Sequence, residues 1–270
     1  MKEILTRVAY CGVDEYRFCG HSVFGELIGE SYLGVAALSL LNRRLDPQEQ
    51  QLLDLMSVIL TAADPRIWPL KAGRLVAAYG SPESGLLAAN LCLIGSKMGS
   101  HSIAIAAALL VDIRADIDDE QVSSDELCDA ALGVMRKYRR VPGFGVPGRR
   151  YDKRLLVLDE HIRRLKRHHR PYYETKSAVI RAARELSIRV PPNIALGAAA
   201  ACLDMGFSPE DMEPLGMLFL LNAVLANAVE SAREPSSEMK RLPASRVRYI
   251  GPPERQSPRK TLSDKASGQN

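Results

Sequence analysis

Cysteine is sparse and poorly spaced for metal. Cys11, Cys19, Cys92, Cys128 and Cys202 are five in number and include no CxxC pair. That argues against a disulfide framework or a thiolate metal centre, and fits reduced thiols in a cytoplasmic protein. Long apolar runs are also missing: the longest, from Ser102 to Ile113, is about half of the ~20 residues a membrane span needs. No membrane association is expected. Met1-Lys2-Glu3 leads into a short mixed segment, so no leader peptide is expected either. Strand signals are almost confined to residues 6–20, which read as a short β-hairpin. There is no fixed-period repeat. No nucleic-acid-binding motif accompanies the basic residues, so no nucleic-acid partner is expected.

What is present is a globular composition, 46% hydrophobic and 25% charged over 270 residues, enough for one large domain or two. The net charge of +4 is unevenly spread. Nine Lys/Arg against four acids fall between Arg233 and Asn270, leaving the preceding body near −1. The Ser/Pro/Lys-rich end reads as an extended arm followed by a disordered basic tail over 253–270.

From Val23 the periodicity becomes helical. Asp46-Pro47-Gln48-Glu49 reads as an N-cap with Pro at N1, and Ser81-Pro82 repeats the device. Helices are expected near 33–41, 47–62, 70–79, 86–93, 102–110, 118–140 (capped near Ser123-Ser124-Asp125-Glu126), 155–169, 174–186, 194–203 and 215–229. The 155–169 segment carries a basic face (Arg163, Arg164, Lys166, Arg167, His168, His169) that reads as a solvated surface.

The most informative loop is Val141-Pro142-Gly143-Phe144-Gly145-Val146-Pro147-Gly148. It is followed at once by the cations Arg149, Arg150, Lys153 and Arg154. Three glycines and two prolines in eight residues forbid regular structure. Flexible backbone amides beside fixed guanidinium groups suit phosphate or carboxylate. A basic surface turn would look the same.

In order and spacing these pieces resemble the citrate synthase family, and within it the short citryl-CoA lyase-like branch, over about residues 16–252. Gly20-His-Ser-Val-Phe-Gly-Glu-Leu-Ile-Gly29 resembles the N-terminal "RGY…LIG" signature, and Gly80-Ser-Pro-Glu-Ser84 the "GAPES" segment. Val141–Gly145 matches the "VPGFGH" loop, Asp152-Lys153-Arg154 stands at "DPR", and Arg246–Pro252 looks like the "RYVGP" arm. The resemblance implies a mainly α, two-domain helical homodimer with a short N-terminal β-hairpin. Residues 1–99 and 196–252 would form the large domain and 100–195 the small one. It also implies a coenzyme A thioester as substrate, no metal, and formation or cleavage of a C–C bond against an oxo acid.

The departures are chemical. The family's catalytic His residues fall at Met98 and Val146, its acidic base at Ala195, and a substrate Arg at Leu220. Val, Ala and Met cannot move a proton, and general acid–base catalysis contributes roughly 10²–10⁴-fold. His101, one helical turn beyond Met98, is the candidate replacement, with Ser96 and Lys97 as oxyanion donors. Arg154, Asn193, Arg74 and Arg241 are candidates for substrate carboxylates, and Gly143, Phe144, Gly145, Arg149 and Arg150 for CoA. Tyr151 could stack on an adenine. Asp64 and Arg66 stand at the family's "DHELN" segment, and His21 reads as structural. Two readings stay open: a diverged enzyme of Claisen or retro-Claisen type on an acyl-CoA, or a non-catalytic binder of an acyl-CoA or a protein. Recruitment to another reaction in a specialised pathway is a variant of the first.

Overall fold

The computed structural model describes residues 3–95, 98–115, 117, 122–234 and 243–253. It divides into two compact units, Met1–Pro235 and Ser236–Asn270. In the first, β1 (Ala9–Cys11), β2 (Tyr16–Phe18) and β3 (His21–Ser22) form an antiparallel sheet in the order β1-β2-β3. The expected hairpin thus gains a third strand. Where helix was expected from Val23 there is one π-helical turn, Val23–Leu27, capped by Ser22.

Ten α-helices follow among the described residues: α1 (Tyr32–Leu41), α2 (Pro47–Thr61), α3 (Trp68–Tyr79), α4 (Pro82–Leu93), α5 (His101–Arg114), α6 (Ser124–Met135), α7 (Lys153–Arg164), α8 (Pro171–Glu185), α9 (Ile194–Asp204) and α10 (Met212–Arg233). Their starts follow local chemistry. Asp46 and Glu49 close a reciprocal capping box on α2, and Ser123 and Glu126 do the same on α6. Helix α6 begins at the cap expected there, which leaves out the residues from 118 assigned to it, and it ends at Met135, short of the expected Arg140.

Helix α7 also ends early, at Arg164, because Lys166 enters the left-handed region at φ 54° and Arg167 N–H turns back to Ile162 O at 3.0 Å. The basic run therefore does not continue as one solvated helix face. The Arg167 side chain is 7% exposed and lies 3.5 Å from Glu49, which also accepts from Arg43 at 2.8 Å. This ion group ties the α7–α8 turn to the start of α2. Asp204, at the end of α9, accepts from the N–H groups of Tyr172 and Tyr173 at 2.9 and 3.0 Å and so caps α8.

Helix α9 lies at the centre of the core, buried at every residue from Ile194 to Leu203, and packs against α5, α7 and α8. Helix α10 packs against α2, α3, α4 and α5, with Phe219 fully buried. Together with the preceding 3₁₀ turn it is the one helix among the described residues long and apolar enough to cross a membrane by composition, a test that a core helix of this kind also passes.

Helices α3 and α4 meet through two glycines. A Cβ built on Gly85 would stand 2.6 Å from both Ala77 Cβ and Gly73 O. In the second unit, the described residues 243–253 form a 3₁₀ turn at Ala244–Arg246 and an extended stretch in which Tyr249 and Ile250 are exposed.

Gly85→Ala is expected to push α3 from α4 and cost about 1–3 kcal/mol by overpacking. A denaturant midpoint unchanged from wild type would contradict that close approach.

Candidate functional site

The glycine-rich loop is pinned along its length to the segment entering α9. Gly143 O accepts from Asn193 N–H at 2.9 Å, and Gly145 N–H donates to Pro191 O at 2.7 Å. Phe144 and Pro192 form an isolated antiparallel bridge between these bonds. Asn193 completes the clamp: its Nδ2 donates to Gly145 O at 3.1 Å, and its Oδ1 accepts from Ala195 N–H at 3.0 Å as the cap of α9. Both ends of the Asn193 amide are thus engaged within the protein. Gly143 has φ 78°, and a Cβ there would lie 2.7 Å from Leu196 Cβ, so only glycine fits.

Asp152 anchors the other end of the loop. Its side chain is fully buried and makes four bonds. It accepts from Arg154 N–H at 3.1 Å as the cap of α7, and from Arg154 Nε and Nη2 at 2.9 and 2.8 Å. It also accepts from Ile194 N–H at 2.9 Å, at the start of α9. Burial pushes this carboxyl up, but the Arg154 guanidinium and the two amides outweigh it and hold the group below the usual carboxylate range. Neither side-chain bond uses Arg154 Nη1, and the Arg154 side chain remains 34% exposed. Arg149, Arg150 and Tyr151 are exposed at the loop's outer end.

Arg149 is near enough to Asp64 to act on it electrostatically. The larger influence there is Arg66, which holds Asp64 through Nη2 at 2.7 Å and its own N–H at 2.9 Å, and pushes the carboxyl down to about 2. Asp64 is therefore a paired anion and not a ready base. Two residues on, Trp68 lies against Gly95, at the α4–α5 junction. The α2–α3 loop thus lies close to Arg149 on one side and to the α4–α5 junction on the other.

At that junction His101 Nδ1 lies 2.7 Å from Glu213 Oε1 on α10. Ser96 and Lys97 lie outside the described residues, as does Arg241. Arg74 faces α10, where it donates to Asn227 Oδ1 at 3.2 Å and pairs with Glu230. Its side chain is only 15% exposed. At the positions of the resemblance's lost groups, Met98 and Val146 are half-buried and Ala195 is buried. Leu220 packs on the apolar cluster of Leu70, Ala89, Leu93 and Val224.

Sequence reasoning missed a recess of about 370 Å³ beside the loop, to which Val141 and Phe144 contribute. It is lined by the apolar Met135, Val141, Phe144, Leu186, Ile188 and Val190 and by Arg136, Tyr138, Arg139 and Arg140. The signal was the run Lys137-Tyr138-Arg139-Arg140 immediately before Val141. Among the described residues, no group of three or more His, Cys, Asp or Glu side chains is arranged to hold a metal ion.

The chain is similar to a citryl-CoA lyase from Hydrogenobacter thermophilus with a TM-score of 0.79, over 97% of this chain and 100% of that one at 19% identity. The chain has a citrate synthase-like fold. It is also similar to an ATP citrate lyase from Methanothrix soehngenii, solved with citrate and coenzyme A (TM-score 0.76, 17% identity), over 94% of this chain and 42% of that one. A citrate synthase from Thermoplasma acidophilum, in a ternary complex with carboxymethyl coenzyme A and oxaloacetate, matches at a TM-score of 0.60 and 19% identity, over 85% of this chain and 59% of that one. The chain thus spans less than two thirds of the latter two proteins. No family model and no curated protein matches the sequence.

Asp152→Asn keeps the shape but removes the charge shared by Arg154 and Ile194 N–H. It is expected to cost about 2–4 kcal/mol at pH 7, since hydrogen bonds to charged groups contribute roughly 1.5–3 kcal/mol each. Because the folded carboxyl titrates below the unfolded one, its stabilisation is present above the unfolded pKa of about 3.9 and is lost as pH falls through the folded value. The gap between wild type and variant in urea melts should shrink below about pH 4. A gap that widens on acidification would contradict the assignment.

Proposed function

We propose that this protein binds a coenzyme A thioester and acts on its acyl group, forming or cleaving a C–C bond by Claisen or retro-Claisen chemistry with acid–base groups of its own. The observation that carries the reading is the recess beside the pinned glycine-rich loop. Its apolar lining residues suit a purine face, and Arg136, Arg139 and Arg140 suit the phosphates. Apolar side chains and arginines lining one recess match a ligand with a flat apolar end and a charged chain. The fold's likeness to proteins solved with coenzyme A supports the same ligand. Arg154, oriented by Asp152 with Nη1 to spare, suits a substrate carboxylate.

We further propose that the helical body works as a large and a small lobe, with the small lobe over 100–195, in a cytoplasmic homodimer. The exposed Leu87, Leu91 and Ile94, spaced along one face of α4, support pairing through that helix. A second reading, a non-catalytic acyl-CoA binder, is favoured by the apolar Met98, Val146 and Ala195.

Coenzyme A at about 100 times its Kd should stabilise the protein by about 2.7 kcal/mol, visible as a rise in melting temperature. Joint Arg139→Ala and Arg140→Ala substitution is expected to weaken that affinity roughly 10–100-fold, at about 1.4 kcal/mol per decade. Thiol release from acetyl-CoA with oxaloacetate, or cleavage of citryl-CoA, separates the enzyme from the binder. No melting shift and no calorimetric heat with any of these thioesters would overturn the reading.

A further inference from the structure

We infer that His101 and Glu213 form the proton-transfer pair of this protein, with His101 as the base toward the acyl thioester and Glu213 as the positioning residue behind it. The inference rests on the CoA-thioester reading above and names the group that does its chemistry.

The geometry is specific. His101 opens α5 and Glu213 lies in the first turn of α10, 112 residues away, yet Nδ1 and Oε1 are 2.7 Å apart. The two side chains are 30% and 35% exposed, so the pair is reachable from outside and not sealed in the core. Nδ1 is taken, and no described residue bonds to Nε2. The mounting is rigid: Ser100 is fully buried with its Oγ on Leu93 O at 3.2 Å. Gly216 lets α10 approach so closely that a Cβ there would stand 2.8 Å from Ser100 Cα. The ring is therefore held where two packed helix starts meet, at the junction whose Gly95 lies against Trp68.

The chemistry follows from that arrangement. With Nδ1–H donated to the Glu213 carboxylate, the neutral imidazole keeps its Nε2 lone pair free to accept a proton. That lone pair takes the α-proton of the acyl group. The C–H electron pair moves into the enolate C=C, and the thioester carbonyl pair moves onto oxygen. The imidazolium so formed is stabilised by Glu213. In the cleavage direction the same proton returns to the enolate carbon. Nothing beyond the thioester is consumed.

The test is exchange of the acetyl-CoA methyl protons with deuterated water, followed by NMR beside a calorimetric Kd for acetyl-CoA. His101→Ala should reduce exchange about 10²–10⁴-fold with Kd unchanged, and added imidazole should restore part of it. Glu213→Gln should lower the exchange rate at saturation without raising the half-saturating concentration. Nitrogen-15 spectra of wild type should show His101 protonated at Nδ1, and Glu213→Ala should mix the two tautomers. Thioester binding with no exchange in wild type, exchange that survives His101→Ala, or a His101 protonated at Nε2 each overturns the pair while leaving the binding reading intact. Failure to bind any thioester takes down both.

Discussion

The buried Asp152 carboxylate is the constraint on which the loop region depends. One anion caps α7, orients Arg154 and holds the first amide of α9. A buried carboxylate is tolerated only when its lone pairs are satisfied, and here every partner belongs to an element that borders the glycine-rich loop. The loop has little structure of its own, so its shape is set from both ends: by Asp152 on one side and by the Asn193 clamp on the other. Arg154 is presented as a consequence of this order, with part of its guanidinium spoken for and part turned outward.

The core explains why such a loop can be held still. Helix α9 contributes a segment rich in alanine, buried throughout, around which α5, α7 and α8 close at short range. Small side chains leave the backbones little room to slide, and interiors of this density transmit strain instead of absorbing it. The recess lies where this packing thins out, between the end of α6, the loop and the segment after α8. It is a place where tightly packed helices stop and exposed arginines begin.

Much of the fold was legible because the chain marks its boundaries with local chemistry. Asp46-Pro47, Ser81-Pro82 and the 141–148 loop each act within a few residues, and each stands where the sequence suggests. Helix α7 was read too long because no glycine marks its end; Lys166 takes the left-handed turn, and Arg167 is drawn inward by Glu49, which is distant in sequence. The same limit applies to the candidate site. Arg154 and the loop are recognisable from adjacent residues, whereas the Glu213 partner of His101 and the arginine-rimmed recess exist only once distant helices have met. Asn193 looks like a ligand group by type, and only the folded loop reveals that its amide is already occupied.

The environment of Leu220 limits what that position can host. Its side chain leans on Leu70, Ala89, Leu93 and Val224. A guanidinium placed there would exchange apolar contact for a charge beside hydrocarbon, which costs free energy unless a hydrogen-bonding partner arrives with it. A charged site at this point of α10 therefore has to be assembled from several residues together and not from one substitution.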